Sequence, residues 1–197
     1  MNLPNKLTIL RIILAFVFIP LLFIDGITAK VAALCVFLLA SATDALDGYL
    51  AKKHNQITDF GKLMDPVADK ILILSAFLSF VEMGLVPAWM VIIIIFREVV
   101  VTGLRILALS QGKVLQADAG GKHKTVSQVL VIVAILFLII FKAAGPKVLG
   151  FWSERTEAIY NDTIYVMMLI TVVLTLISGL SYLVRNREVY IHAKKSG

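Results

Sequence analysis

Charged side chains are scarce in this chain of 197 residues: 16% are Asp, Glu, Lys or Arg, 59% are hydrophobic, and the mean hydropathy is +0.92. A water-soluble domain carries about 25% charged residues, so a soluble globule is excluded. Cysteine is limited to Cys35, which excludes a disulfide framework or a thiolate metal site within one chain. Cys35 lies in an apolar run and is expected to be a small buried apolar residue. His54, His123 and His192 show no metal-ligand spacing, so histidine metal chemistry is not expected. No internal repeat and no low-complexity stretch interrupts the chain. The first apolar stretch contains Arg11 and is followed by no small-residue cleavage site, so it reads as a retained helix and not a signal peptide.

Long apolar runs are what the chain has instead. A bilayer-spanning helix needs about 17–25 mostly apolar residues, and six segments qualify or nearly do: 7–24, 30–50, 66–81, 86–109, 126–141 and 163–184. The expected fold is all-α, one polytopic membrane domain spanning residues 1–197. Orientation follows from Lys and Arg in the connections. With the N-terminus inside, the inner side holds fifteen of the nineteen basic residues, among them Lys6, Arg11, Lys52, Lys53 and Arg185. The outer side holds four: Lys30, Lys142, Lys147 and Arg155. Both termini are therefore expected in the cytoplasm. Asn5 is read as a cap before the first helix. Asp65-Pro66 is read as an N-cap followed by a first-turn proline. Gly145-Pro146 is read as part of an outer loop, and the basic tail after Val184 as a short helix or loop near the anionic leaflet. Trp89 is placed at the outer interface.

Against this apolar background, ionisable residues inside the spans stand out, because they are expensive there and mark functional sites. Asp44 and Asp47 are three residues apart near the inner end of the second span. Asp65 and Asp69 are four apart at the start of the third. Each pair shares a helical face, and the short connection between the spans makes the two ends neighbours. Four carboxylates in a small volume repel unless protons or cations intervene. Oxygen-only donor sets favour hard ions such as Mg²⁺, Mn²⁺ or Ca²⁺. Ordinary pairing with Lys52, Lys62 and Lys70 is the plainer reading, and the paired spacing weighs against it. Gly48 follows Asp47 directly; a helical glycine costs about 1 kcal/mol relative to alanine, which points to close approach by a ligand or by another helix. A second cluster comprises Arg97 and Glu98 in the fourth span, Arg105 two turns later, and Lys122 and Lys124 at the start of the fifth. Arginine and lysine suit a phosphate dianion; pairing of Arg97 with Glu98 is the alternative.

The stretch Asp44-x-x-Asp47-Gly48-x-x-Ala51-Lys52, followed after eight residues by Gly61-x-x-x-Asp65-x-x-x-Asp69, resembles the signature of the CDP-alcohol phosphatidyltransferases. Seven of its eight fixed positions match; Lys52 stands where arginine is usual, keeping the charge without the bidentate fork. The blocks Pro4-Asn5-Lys6-Leu7-Thr8 with Arg11, Asp65–Lys70, Arg97–Arg105 and Gly121–Thr125 resemble the bacterial branch that uses glycerol 3-phosphate. The resemblance implies six helices, both termini cytoplasmic, in the inner or plasma membrane. It implies transfer of a phosphatidyl group from CDP-diacylglycerol to glycerol 3-phosphate, releasing CMP, with no nucleic-acid partner and a homodimeric assembly. It implies that Asp44, Asp47, Asp65 and Asp69 bind Mg²⁺ or Mn²⁺, as two ions, and that Asp69 is the general base. Asn5, Thr8, Gly48, Lys52 and Thr58 fall where the family contacts the CDP group. Arg97, Arg105, Lys122 and Lys124 are expected to hold the acceptor phosphate. The rivals are another acceptor (inositol phosphate, serine or phosphatidylglycerol) and, from a different class, a divalent-cation transporter. The aspartates sit at the inner helix ends beside basic residues, not at the midplane where transporter sites usually lie.

Overall fold

The computed structural model describes residues 3–54, 59–111, 119–148 and 153–192. Among these, every regular element is a helix: α1 (Leu3–Phe23), α2 (Ile27–His54), α3 (Asp59–Glu82), α4 (Ala88–Ser110), α5 (Ala119–Val148), α6 (Glu154–Arg185) and α7 (Arg187–His192). Thr125–Ala144 of α5 and Glu154–Arg185 of α6 are long and apolar enough to cross a membrane unaided. Leu7–Phe23 and Ile27–Thr43 are shorter apolar helices. In α4 the run is broken by Arg97, Glu98 and Arg105, and α3 carries Asp65, Asp69 and Lys70. The charges that lower the apolar character of these two helices are the ones that mark the candidate site.

Several boundaries differ from those expected. Asn5 lies within the first turn of α1, not before it. Helix α3 begins at Asp59, so Pro66 is inside the helix and Asp65 is not its cap. Helix α5 runs through Gly145-Pro146 to Val148. Proline and glycine are tolerated inside membrane helices because neighbouring helices and side chains satisfy the backbone groups they free. The tail does form a short helix, α7. It is separated from α6 at Asn186, whose backbone N–H and side-chain amide both donate to the Tyr182 carbonyl, the latter at 2.8 Å.

The tight turns explain the up-and-down course. Gly84 has φ +70, Leu85 N–H donates to the Phe80 carbonyl and Gly84 N–H to that of Val81, both at 2.9 Å. This is a Schellman ending to α3, and Pro87 then starts α4. Gly26, at φ +111, turns α1 into α2. At the start of α6 the Ser153 side chain accepts from Thr156 N–H at 3.2 Å, with Glu154 and Glu157 favourably placed near the positive end of the helix dipole.

The interior is apolar, built from Phe18, Phe37, Phe77, Phe80, Met90, Ile132 and Ile164 of α1 to α6. The outside is apolar as well: Phe16 is 66% exposed, Phe96 68% and Leu180 60%. Large side chains that are apolar both inside and outside suit a bundle solvated by lipid, since a soluble monomer rarely shows such extensive exposed apolar surface. Cys35 is exposed on this outer surface, not buried as expected, because a thiol costs little against lipid. Trp89 is half-exposed in the first turn of α4.

Candidate active site

Helix α1 packs against both α2 and α3 and carries two polar residues into the interior. Thr8 and Arg11 are both fully buried, three residues apart on one face. A buried guanidinium needs negative charge or carbonyl oxygens around it. The flanking helices carry Asp44 and Asp47 in the C-terminal half of α2, and Asp65 and Asp69 in the N-terminal half of α3. Gly48 and Lys52 follow the first pair on α2, and Asn5 lies one turn before Thr8 on α1. Only residues 55–58 separate the two helices, so their ends lie within roughly 18 Å by chain reach alone. Thr58 is outside the described residues. Four hard oxygen donors on two helices that both pack on α1 are the donor set expected for Mg²⁺ or Mn²⁺. Arg11 interrupts the first apolar stretch and falls in the third turn of α1; a cation so placed in an apolar helix is the sequence signal that it is more than one more inner basic residue.

Helices α4 and α6 form a second polar seam. Arg97 is 9% exposed; its Nη1 lies 3.2 Å from Glu98 Oε1 and its Nη2 donates to Ser178 Oγ at 3.0 Å. Its Nε is buried with no hydrogen-bond partner. Gly179 makes this possible: a Cβ there would stand 2.8 Å from Arg97 Cγ. Two turns on, Arg105 is exposed but anchored, with Nε donating to the Tyr182 hydroxyl at 3.4 Å and Cζ 5.7 Å from the Tyr182 ring centroid. Arg97 and Arg105 thus both turn towards α6. Lys70 donates to Thr102 Oγ1, tying α3 to α4 one residue after Asp69. Lys122 and Lys124 lie in the first two turns of α5. Ser178, Gly179 and Tyr182 were not singled out from sequence, because a serine, a glycine and a tyrosine in an apolar helix carry no pattern of their own.

The N-terminal ends of α1, α3 and α5 and the C-terminal ends of α2, α4 and α6 therefore share one end of the bundle. At the opposite end, Lys142 of α5 bonds Glu157 of α6 at 2.6 Å. The sequence-predicted site residues with a described backbone fall in the half that carries the N-terminus, apart from Arg97, which lies near the middle of α4.

The sequence profile described as CDP-alcohol phosphatidyltransferase matches residues 1–177. The chain belongs to the CDP-alcohol phosphatidyltransferase family. Members of this family generally depend on divalent cations, and the apolar helices together with the family make this a membrane protein. A CDP-diacylglycerol–glycerol-3-phosphate 3-phosphatidyltransferase of Bacillus subtilis is 42% identical over 147 residues, covering 68% of this chain and 76% of the relative. A protein of the same name from Pseudomonas fluorescens is 36% identical over 204 residues, covering 100% of this chain and 94% of the relative. A probable phosphatidylglycerophosphate synthase of Mycobacterium tuberculosis is 35% identical over 187 residues, covering 93% and 81%. Within the family match lie both aspartate pairs, Arg97, Arg105, Lys122 and Lys124. The α6 residues that hold the two arginines, Ser178, Gly179 and Tyr182, lie just beyond it.

Proposed function

We propose that this CDP-alcohol phosphatidyltransferase moves the phosphatidyl group of CDP-diacylglycerol to glycerol 3-phosphate, forming phosphatidylglycerophosphate and CMP as a step in phosphatidylglycerol synthesis. The observation that carries the reading is the relatives' shared name at 35–42% identity, over 76–94% of their own lengths. Membership of a transferase family argues against the transporter reading.

The chain's own residues divide the work. Asp44, Asp47, Asp65 and Asp69 hold the divalent ions, Mg²⁺ or Mn²⁺ and two in number. When bound, the ions neutralise the diphosphate and the charge on departing CMP. Asp69 also accepts the proton of the attacking acceptor hydroxyl. Buried Arg11 balances the aspartates while the site is being filled. Asn5, Thr8, Gly48, Lys52 and Thr58 take the CDP group, with Gly48 leaving room for close approach to the α2 backbone. Arg105, Lys122 and Lys124 bind the acceptor phosphate. Arg97, already shared between Glu98 and Ser178, contributes positive potential from beneath. Transfer of this kind depends mainly on positioning and electrostatics, and a site at the bundle's end lets the lipid tails stay in the bilayer. Residues 1–197 form one domain with six membrane-spanning helices, α1 to α6. Both termini and the active site face the cytoplasm, in the inner or plasma membrane, as a homodimer.

The test is CMP release by the purified protein from CDP-diacylglycerol with a panel of acceptors: glycerol 3-phosphate, inositol phosphate, serine and phosphatidylglycerol. Release is expected with glycerol 3-phosphate, lost on chelation and restored by Mg²⁺ or Mn²⁺. Release that prefers another acceptor would reassign the substrate, and none with any acceptor would sink the reading.

A further inference from the structure

Between α3, α4 and α5 lies a cavity of about 40 Å³, lined by Lys70, Ile73, Ile94, Glu98, Thr125 and Gln128 among others. Gln128 is 1% exposed, yet its Nε2 is buried with no hydrogen-bond partner. Buried amides are almost always satisfied, so an unsatisfied one lining a cavity points to a missing polar occupant. The volume has room for about two or three water-sized groups, which is the size of one hydroxyl-bearing carbon.

The cavity's place along the chain says which hydroxyl. Lys70 directly follows Asp69, Thr125 directly follows Lys124, and Glu98 directly follows Arg97. The cavity is thus lined by the sequence neighbours of the base and of the phosphate-binding residues of the proposed site. An acceptor whose attacking hydroxyl meets Asp69 and whose phosphate meets Lys124 and Arg105 must lay its middle carbon between them. We infer that this cavity binds the secondary hydroxyl of a glycerol phosphate, with Gln128 Nε2 donating the hydrogen bond, so that Gln128 is a specificity-determining residue. The inference rests on the proposed reaction and assigns a subsite within it.

The experiment compares kcat/KM for glycerol 3-phosphate and for 3-hydroxypropyl phosphate, which lacks only the middle hydroxyl, in the full-length protein. The unaltered protein should prefer glycerol 3-phosphate by roughly tenfold or more, because a site built to bond a hydroxyl rejects the analogue lacking it. In Gln128→Leu the preference should collapse towards unity, mainly through the KM for glycerol 3-phosphate. Gln128→Asn, which shortens the reach of the amide and keeps its polarity, should also reduce it and covers the case in which the leucine variant does not fold. Equal use of the two acceptors by the unaltered protein overturns the inference while leaving the reaction intact. A parallel loss on both acceptors, in either variant, also overturns it, because the amide then serves the bundle or an ordered water only. Absence of CMP release from the unaltered protein with either acceptor overturns the proposed reaction, and this subsite with it.

Discussion

Arg105 and Tyr182 illustrate what single residues contribute. The Tyr182 ring and hydroxyl hold Arg105 against α6, and in the proposed site its guanidinium meets the acceptor phosphate. A cation–π contact and one hydrogen bond are each worth about 0.5–1.5 kcal/mol. Tyr182→Leu should therefore raise the KM for glycerol 3-phosphate by about three- to tenfold, with kcat nearly unchanged, as read from CMP-release kinetics. An equal fall in kcat would mean that Tyr182 supports the bundle and not the arginine. Asp69→Asn belongs to the same scale: loss of a general base lowers kcat by about 10²–10⁴-fold under saturating substrates, and retention of most of the rate would remove Asp69 from that role. The aspartates were legible because a costly residue type recurred at helical spacing. The residues that hold the arginines were not, because their role exists only once α6 lies against α4.

At the scale of elements, the seam between α4 and α6 depends on Gly179. Lipid tails are as apolar as leucine, so helices in a membrane associate through close packing and polar contacts, with small residues at the interface. Alanine at position 179 would place its Cβ 2.8 Å from Arg97 Cγ, and either Arg97 or the helices must shift. Gly179→Ala should destabilise the bundle by about 1–3 kcal/mol, seen as a drop of several degrees in Tm. The same substitution combined with Arg97→Ala should cost less than the sum of the two, since neighbouring changes are not additive. Strict additivity would show that the two residues do not compete for the same space. Helix existence was legible from apolar runs at this scale. Helix ends were not: proline and glycine at Asp65-Pro66 and Gly145-Pro146 read as punctuation, yet both helices run through them, because packing partners in a bundle can satisfy the backbone groups that proline and glycine free.

At the scale of the whole molecule, the site's position and the distribution of charge make one joint demand. Phosphorylated, water-borne acceptors must reach Asp69 from the compartment that contains them, so the end of the bundle carrying the N-terminus should be the cytoplasmic end. The excess of basic residues at that end argues the same way through the positive-inside rule, and it includes residues outside the proposed site, among them Lys6, Lys53 and Arg185. A single labelling experiment tests both. In a Cys35→Ala background, needed because Cys35 is exposed, one cysteine is placed at a time by Lys53→Cys in the last turn of α2 or Lys147→Cys at the far end of α5. A membrane-impermeant thiol reagent added to intact cells should label the position 147 variant and spare the position 53 variant until the membrane is opened. The reverse pattern would put the aspartates outside, away from the compartment that holds phosphorylated acceptors, and the proposed reaction would lose its acceptor supply along with the topology. Labelling at both positions in intact cells would mean mixed insertion, which a strong excess of inner charge does not permit.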